Sequence, residues 1–499
     1  MLLRCLLAGV GGVLLSMASE PVGLAVLTPV AVAALVYAVG HDPRRAWAPG
    51  LAFGAGFMFV LLGWMRAVGL DAWLILSLVQ TAYFAPLGVG LAWVTRLRWW
   101  PVWQAALWVA VETVRGTWPM GGLPWGRLSY TVADTVWAAG LPWVGFTGVS
   151  LLLALTGTTL AWLVTQRPPA LRAGAALAGL AALTLAPTLV QWDPDPGDEI
   201  LVAVVQGDVP GSGENLVAVH REVTANHVQA TLDLAQQVAE GSVPAPDLVI
   251  WPENSTAVDP FRDVEVHQGI ESASQAIGAP ILVGAMADSV REQDVLNQGI
   301  VWVPGLGGTD RFTKHHPVPF GEYIPWRNGL ITGNFGKLRM IPRDMLSGTR
   351  VEPLRIPGRT QVRLADAICF DIAYDDVIHA QVRAGAELLA VQTSNAMFIH
   401  TPQIDQQFEI TRLRALETGR QVAVAATNGI SGVIAADGTV QAQAEPQTTT
   451  VLVERVALSS RITPAVRLGP WPGRLFCAVA LVGCVLAWRR PSRAPTGRI

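Results

Sequence analysis

The chain is short of charge, of lysine and of cysteine, and each shortage narrows what it can be. Only 15% of its 499 residues are charged, against the ~25% usual in soluble globular proteins, while 51% are hydrophobic. A uniformly soluble chain is thereby excluded. The deficit is local. Residues 1–192 hold ten Arg, no Lys and five acids between long apolar runs. Asp193–Val456 has the composition of an ordinary soluble domain, and a last apolar run, Leu475–Trp488, precedes a basic tail. The expected plan is membrane, globule, membrane, divided at 1–192, 193–470 and 471–499. With a net charge of −3 and no basic patch interleaved with aromatics, no nucleic-acid partner is expected.

Of 35 basic residues only two are lysines, Lys314 and Lys337. So strong a bias toward Arg looks like GC-rich coding, and a Lys that survives it marks a place where a compact ammonium suits better than a planar guanidinium. Of the four cysteines, Cys5, Cys477 and Cys484 lie in apolar segments, leaving Cys369 alone in the globular part. That excludes a disulfide within the domain even in an oxidising compartment. A lone Cys is a small buried hydrophobe or a nucleophile, and composition alone favours the first. His315 and His316 are adjacent, with no Cys or carboxylate at ligand spacing, so no metal is expected. No glycine-rich phosphate motif follows a strand, so neither a nucleotide nor any other cofactor is expected.

A transmembrane helix needs ~20 mostly apolar residues. Eight candidates are Leu2–Ala18, Val22–Gly40, Ala48–Met65, Trp73–Val94, Val102–Val114, Val136–Val164, Ala170–Val190 and Leu475–Trp488, seven before the globule and one after. With the N-terminus in the cytoplasm, the cytoplasmic connections and tail hold Arg4, Arg44, Arg45, Arg96, Arg98, Arg167, Arg172, Arg489, Arg490, Arg493 and Arg498. The opposite short loops hold only Arg66, Arg115 and Arg127. The positive-inside rule then puts both termini in the cytoplasm and the globular domain on the outer face. Ser16-Met17-Ala18 also resembles a signal-peptide cleavage site, but the charge count works better with the first helix retained. Fourteen of the 19 tryptophans occur by Trp192, many near segment ends, as interfacial anchors would. Glu112 sits in an apolar run three residues before Arg115, so the two can meet on one helix face. An intramembrane acid reads as a functional site and equally as a structural ion pair.

In the globular part strands alternate with helices, which argues for an α/β domain with layered sheets. Strands are expected at Ile200–Val209, Asp247–Trp251, Pro280–Ala287, Gly299–Val303, Val362–Cys369, Leu388–Thr393, Val422–Ala426 and Thr450–Arg455, with a hairpin at Gly429–Gly438. Helices are expected at Thr224–Gly241, Val264–Gly278, Asp375–Gly385 and Gln406–Thr418. Three polar constellations fall at strand ends, where α/β sheets gather catalytic groups: Trp251-Pro252-Glu253; Lys314 followed by Pro319-Phe320-Gly321-Glu322-Tyr323; and Ala367-Ile368-Cys369-Phe370-Asp371. A strand running into Cys and then a turn presents a thiol at an elbow whose backbone N–H groups point at the reaction centre. Taken singly, Glu253 reads as a cap, Lys314 as a loop lysine and Cys369 as a core residue.

Together, the order strand–Glu, loop–Lys, strand–Cys resembles the Glu–Lys–Cys set of the nitrilase superfamily. With the flanking hydrophobic segments, essentially the whole chain resembles the apolipoprotein N-acyltransferases of bacterial membranes. The motifs are Gln206-Gly207-Asp208-Val209-Pro210, Trp251-Pro252-Glu253, Lys314 with Val318–Pro325, Ala367-Ile368-Cys369, Arg412–Glu417 and Thr427–Ser431, with Leu123-Pro124-Trp125 in the membrane part. Phe370 and Asp371 stand where the family usually has Tyr and Glu, Met397 where it has Trp, and Pro317 where it has Leu.

The resemblance implies a nitrilase-like αββα sandwich inserted between transmembrane helices in the bacterial cytoplasmic membrane. It implies ping-pong acyl transfer from a phospholipid, through a Cys369 thioester, to the α-amino group of a lipoprotein whose N-terminal cysteine carries diacylglycerol. Glu253 would be the base, Lys314 the oxyanion stabiliser, and Glu322 a support. Trp125, Glu112, Arg115, Phe370, Asp371 and Asn395 are the candidate substrate-binding residues. The competing readings are a membrane-tethered nitrilase or amidase that hydrolyses a C–N bond, and a non-catalytic membrane scaffold.

Overall fold

Apolar runs and their proline breaks set the helices of residues 1–192. In the computed structural model, which describes residues 1–209, 216–327 and 336–489, these are α1 Leu2–Met17, α2 Leu27–Val39, α3 Pro43–Leu61, α4 Leu70–Ala82, α5 Phe84–Val94, α6 Trp100–Arg115, α7 Leu141–Gln166 and α8 Ala170–Leu189. Pro210, the 211–213 loop, Arg490, Arg493 and Arg498 lie outside the described residues. Asp42 starts α3 by accepting a bond from the Arg44 N–H at 3.1 Å, with Pro43 in the first helical position, where its missing N–H costs nothing. The fourth expected segment is two helices meeting at Tyr83. Pro86 explains the break, because it cannot donate to the Ala82 carbonyl and its ring crowds that oxygen.

Two compact units result, residues 193–467 and residues 1–192 with 468–499. In the helical unit the rings of Phe53, Phe57, Phe84 and Trp108 pack edge-on or tilted against one another. Its outer faces are apolar too: Leu3, Leu171 and Leu189 are 78%, 86% and 84% exposed. Among the described residues four helical stretches are long and apolar enough to cross a membrane, Leu70–Val94, Ala138–Gln166, Ala170–Leu189 and Trp471–Arg489.

The other unit is built on β1 Glu199–Gln206, β2 Leu248–Ile250, β3 Ile281–Asp288, β4 Asp294–Val303, β5 Gly307–Thr313, β6 Asp344–Met345, β7 Leu354–Ile356, β8 Val362–Ile368, β9 Leu388–Thr393, β10 Val422–Ala426, β11 Gly432–Ile434, β12 Val440–Gln443 and β13 Thr450–Ala457. One sheet runs β13-β1-β2-β3-β4-β5, with β6 pairing β4, and the other runs β12-β11-β10-β9-β8-β7. The central strands β1-β2-β3 and β8-β9-β10 are parallel. Covered on both faces, they are mostly apolar, interrupted by Arg363 and Asp366 on β8 and by Gln392 and Thr393 on β9. Helices α9 Leu216–Ala239 and α10 Val264–Ile277 cover the first sheet, packing Leu234, Ile270 and Ile277 on Val249, Ile281 and Trp302. Helices α11 Asp375–Arg383 and α12 Gln403–Thr418 belong to the second sheet's side. The fold is an αββα sandwich.

Several boundaries move. Strand β4 begins at Asp294, five residues earlier than expected, because its polar start pairs with β3 across the whole hairpin. Strands β5, β6 and β7 were not foreseen, since Gly307–Thr313 and the two- and three-residue pieces carry too few apolar residues to signal a strand. Helix α12 starts at Gln403, and the expected 429–438 hairpin is β11–β12, displaced toward the C-terminus.

Candidate active site

The parallel strands of both sheets end at the same rim, and three turns place reactive side chains there. Pro252 cannot extend the β2 ladder, so the chain leaves the sheet and carries Glu253 with it. The turn fits because residue 284 on β3 is glycine, where any Cβ would collide with the Pro252 carbonyl. Lys314 follows β5 directly, its N–H donating to the Asn297 carbonyl at 2.9 Å. Cys369 follows β8 at φ 53°, a left-handed elbow that few side chains adopt, and opens the short 3-10 turn Cys369–Ala373.

Glu253 and Lys314 are buried. The Lys314 ammonium donates to Glu253 Oε1 at 3.0 Å and to Glu322 Oε1 at 2.7 Å. Glu253 Oε1 also accepts from the Asn297 amide at 2.8 Å, and its Oε2 from the Ser394 N–H at 3.0 Å. Glu322 Oε2 accepts from the Val318 N–H at 2.7 Å. Burial opposes the charge on Lys314, but Glu253 and Glu322 outweigh it and hold the ammonium well above its ordinary range. Burial pushes the Cys369 thiol up to about 12, with the charge of Glu253 adding to it and Lys314 and a Thr393 hydrogen bond opposing. The resting thiol is therefore protonated, and a base must take its proton before it can attack.

The structure thus gathers Glu253, Lys314, Glu322 and Cys369. Asp371 is fully buried, its two oxygens accepting from the His315 and His316 N–H groups at 3.1 and 2.8 Å. It ties the cysteine turn to the segment just after Lys314, a positioning contact. Phe370 meets the Tyr374 ring edge-on at 5.1 Å. Asn395 is also buried, its amide donating to Gln403 Oε1 and Gln407 Oε1 at 2.9 and 2.7 Å.

Glu112, Arg115 and Trp125 belong to the helical unit. There the two charged side chains serve different partners. Glu112 Oε1 accepts from Trp108 Nε1 and the Leu128 N–H at 3.1 and 2.9 Å. Arg115 donates to the carbonyls of Leu123, Trp125 and Gly126 at 3.0, 2.7 and 3.2 Å. Both side chains fasten the 123–128 segment, and Trp125 is buried against Trp64.

Sequence reasoning gave no site role to Asn297, Ser394 and Thr393, and it placed Thr427 in a motif without a role; Thr427 donates to the Glu253 carbonyl at 3.2 Å. The available signal was polarity inside a buried strand: Asn297 on β4 and Thr393 on β9 stand at positions that a packed sandwich normally gives to apolar residues.

Residues 11–159 match the family described as apolipoprotein N-acyltransferase N-terminal domain, and residues 201–463 match carbon-nitrogen hydrolase. An apolipoprotein N-acyltransferase of Mycolicibacterium smegmatis is 34% identical over 84% of this chain and 74% of its own length. The chain belongs to the apolipoprotein N-acyltransferase family. Other similar family members come from Shewanella oneidensis, 27% identical over 97% of this chain and 96% of the relative, and Methylococcus capsulatus, 30% over 99% and 98%. The family resemblance carried by the sequence motifs is borne out, and the αββα unit is the carbon-nitrogen hydrolase part of this acyltransferase family.

Proposed function

We propose that this chain moves an acyl chain from a phospholipid to the α-amino group of a lipoprotein's N-terminal S-diacylglyceryl-cysteine, through a thioester on Cys369. The observation that carries the reading is the meeting of Glu253, Lys314 and Cys369 at one rim in a chain of this family. Glu253 takes the thiol proton, and the sulfur attacks the ester carbonyl of the donor. The oxyanion forms beside the Lys314 ammonium and the backbone N–H groups of the turn, each such donor typically worth roughly 2.7–4 kcal/mol. Collapse breaks the ester C–O bond, and the proton held by Glu253 goes to the departing lysophospholipid oxygen. The lipoprotein amine then attacks the thioester, Glu253 takes its proton, and the thiolate leaves as the amide forms. Glu322 holds Lys314 in place through both half-reactions.

The apolar helices supply a reason for lipid substrates: donor and acceptor both reside in a bilayer. The proposed setting is the bacterial cytoplasmic membrane, with residues 1–192 and 471–499 spanning it and residues 193–470 on the outer face. Eleven arginines in the cytoplasmic connections and the two termini, against three in the opposite loops, support that orientation. A reporter active only in the cytoplasm, fused after Ile499, is expected to be active, and the same reporter inserted at Gly211–Gly213 silent. Equal signals at the two positions would break the assignment. The function itself is tested by mass spectrometry of one lipoprotein's N-terminus from cells with and without this protein. The N-acyl mass is expected to vanish without it and to stay absent when Cys369→Ala is supplied.

A further inference from the structure

Between the two sheets, beneath the rim, lies a carboxyl group that the mechanism above does not use. Asp366 on β8 is fully buried, and among the described residues neither of its side-chain oxygens is met by a well-aligned donor; the neighbouring Ala367 N–H interacts with the carboxyl only weakly. It faces Gly299 on β4 and Gln392 on β9. A Cβ at position 299 would collide with Asp366 Oδ2 and stand 2.7 Å from Gln392 Oε1. The two oxygens therefore crowd one methyl-sized space that only glycine leaves open. Among the described residues Gln392 Oε1 also lacks a donor. Its amide cannot turn round to supply one, because its Nε2 donates to the Trp251 carbonyl at 2.6 Å and to that of Leu282 at 3.5 Å. Turning it would set two carbonyl oxygens at 2.6 Å.

Two buried acceptors that face each other repel unless one carries a proton, and of this pair only the carboxyl can. We propose that Asp366 is held as a neutral carboxylic acid whose O–H donates to Gln392 Oε1, and that the resulting chain Asp366–Gln392–Trp251 positions Glu253. The hold on the Trp251 carbonyl fixes the peptide that leads through Pro252 into Glu253. Asp366 is thus a positioning residue, and this role rests on the reading of Glu253 as the base. The surrounding charges agree: Glu253 after β2 and Asp371 in the cysteine turn are both acidic, Cys369 follows β8, and the Lys314 ammonium is already shared by Glu253 and Glu322. Burial first, then Asp371 and Glu253, keep the Asp366 carboxyl well above the usual carboxylate range, outweighing the Ala367 N–H that opposes them. An unpaired buried carboxylate would be far costlier than a neutral acid.

Three measurements on the full-length protein in detergent test this. Infrared difference spectra of wild type against Asp366→Asn, at neutral pH, are expected to show a carboxylic-acid C=O stretch that the variant lacks. Asn keeps a donor toward Gln392, so Asp366→Asn is expected to form the Cys369 thioester within a few-fold of wild type, with an unmoved pH profile. Asp366→Leu leaves Gln392 Oε1 buried without a donor. It is expected to lower the rate of thioester formation by up to ~10²-fold with KM little changed, as a displaced catalytic group does. Absence of the infrared band would overturn the neutral acid. So would an acid limb shifted to lower pH in Asp366→Asn, the sign of a negative charge removed from beside Glu253. A normal rate in Asp366→Leu would overturn the positioning role. Thioester chemistry failing at Cys369 altogether would sink the proposed function and leave the infrared result standing.

Discussion

Cys369→Ser is expected to abolish acyl-enzyme formation, whether thioester or ester, approaching the ~10⁶-fold loss seen when a nucleophile is deleted from a catalytic set. The thiol is held protonated by burial and by Glu253, up to about 12, so it depends on that carboxylate to remove its proton. The hydroxyl of Ser is weaker still as an acid and as a nucleophile. The same electrostatics separates the two roles of Glu253. Glu253→Gln removes the base, so thioester formation should collapse. It also removes a charge that disfavours the thiolate, so the thiol's pKa falls and more thiolate is present at any given pH. Alkylation of Cys369 by iodoacetamide, followed by intact-mass spectrometry between pH 7 and 9, should therefore become faster in Glu253→Gln than in wild type. Slower alkylation together with normal acyl transfer would show that Glu253 neither raises the thiol's pKa nor serves as its base.

Lys314→Arg is expected to fail nearly as badly as Lys314→Ala, with thioester formation down by ~10²–10³-fold, the usual cost of one lost oxyanion donor. The ammonium sits fully buried with carboxylate oxygens at 2.7 and 3.0 Å. A planar guanidinium cannot occupy that point without displacing Glu253 or Glu322. Lys314→Ala carries a second cost, because it strands the buried Glu253 carboxylate beside a partly buried Glu322, and breaking a buried pair typically removes ~3–5 kcal/mol of stability. Thermal unfolding recorded beside the rate separates the two effects. Lys337, the other lysine, is exposed, and Lys337→Arg is expected to change neither quantity. Near-normal thioester formation in Lys314→Arg would show that charge alone suffices and would remove the geometric role of this residue.

Cys369, Glu253 and Lys314 were legible in the sequence, each for its own reason. Cys369 and Glu253 stood out because each ends an apolar strand with a turn, a pattern confined to a handful of neighbouring residues. Lys314 stood out because the chain otherwise spends arginine. The chain order of these elements then resembled one family, and the comparison bears the family out. What surrounds them was not legible. Asn297 lay in a stretch of β4 whose polar start hid the strand. Ser394 contributes a backbone N–H, which no side-chain pattern announces. Asp371 was read as a substrate contact, yet its carboxylate holds the His315–His316 backbone, a pairing set by how the turn after β8 docks on the segment after β5.

The sequence by itself determined the division into apolar and soluble parts, the alternation of strands and helices, and the three strand-end residues. Those depend on local composition and on periodicities of two and 3.6 residues, which any stretch of chain carries with it. Only the tertiary structure decided that Lys314 is shared between Glu253, 61 residues away, and Glu322. It alone decided that the Glu253 carboxylate is fixed by Ser394, 141 residues on, and that Asp366, Gly299 and Gln392 meet in one small space. The physical reason is that these contacts run between loops or between sheets. Register and packing choose which inward positions face each other there, and a change of one residue in strand register would turn every such side chain to the opposite face.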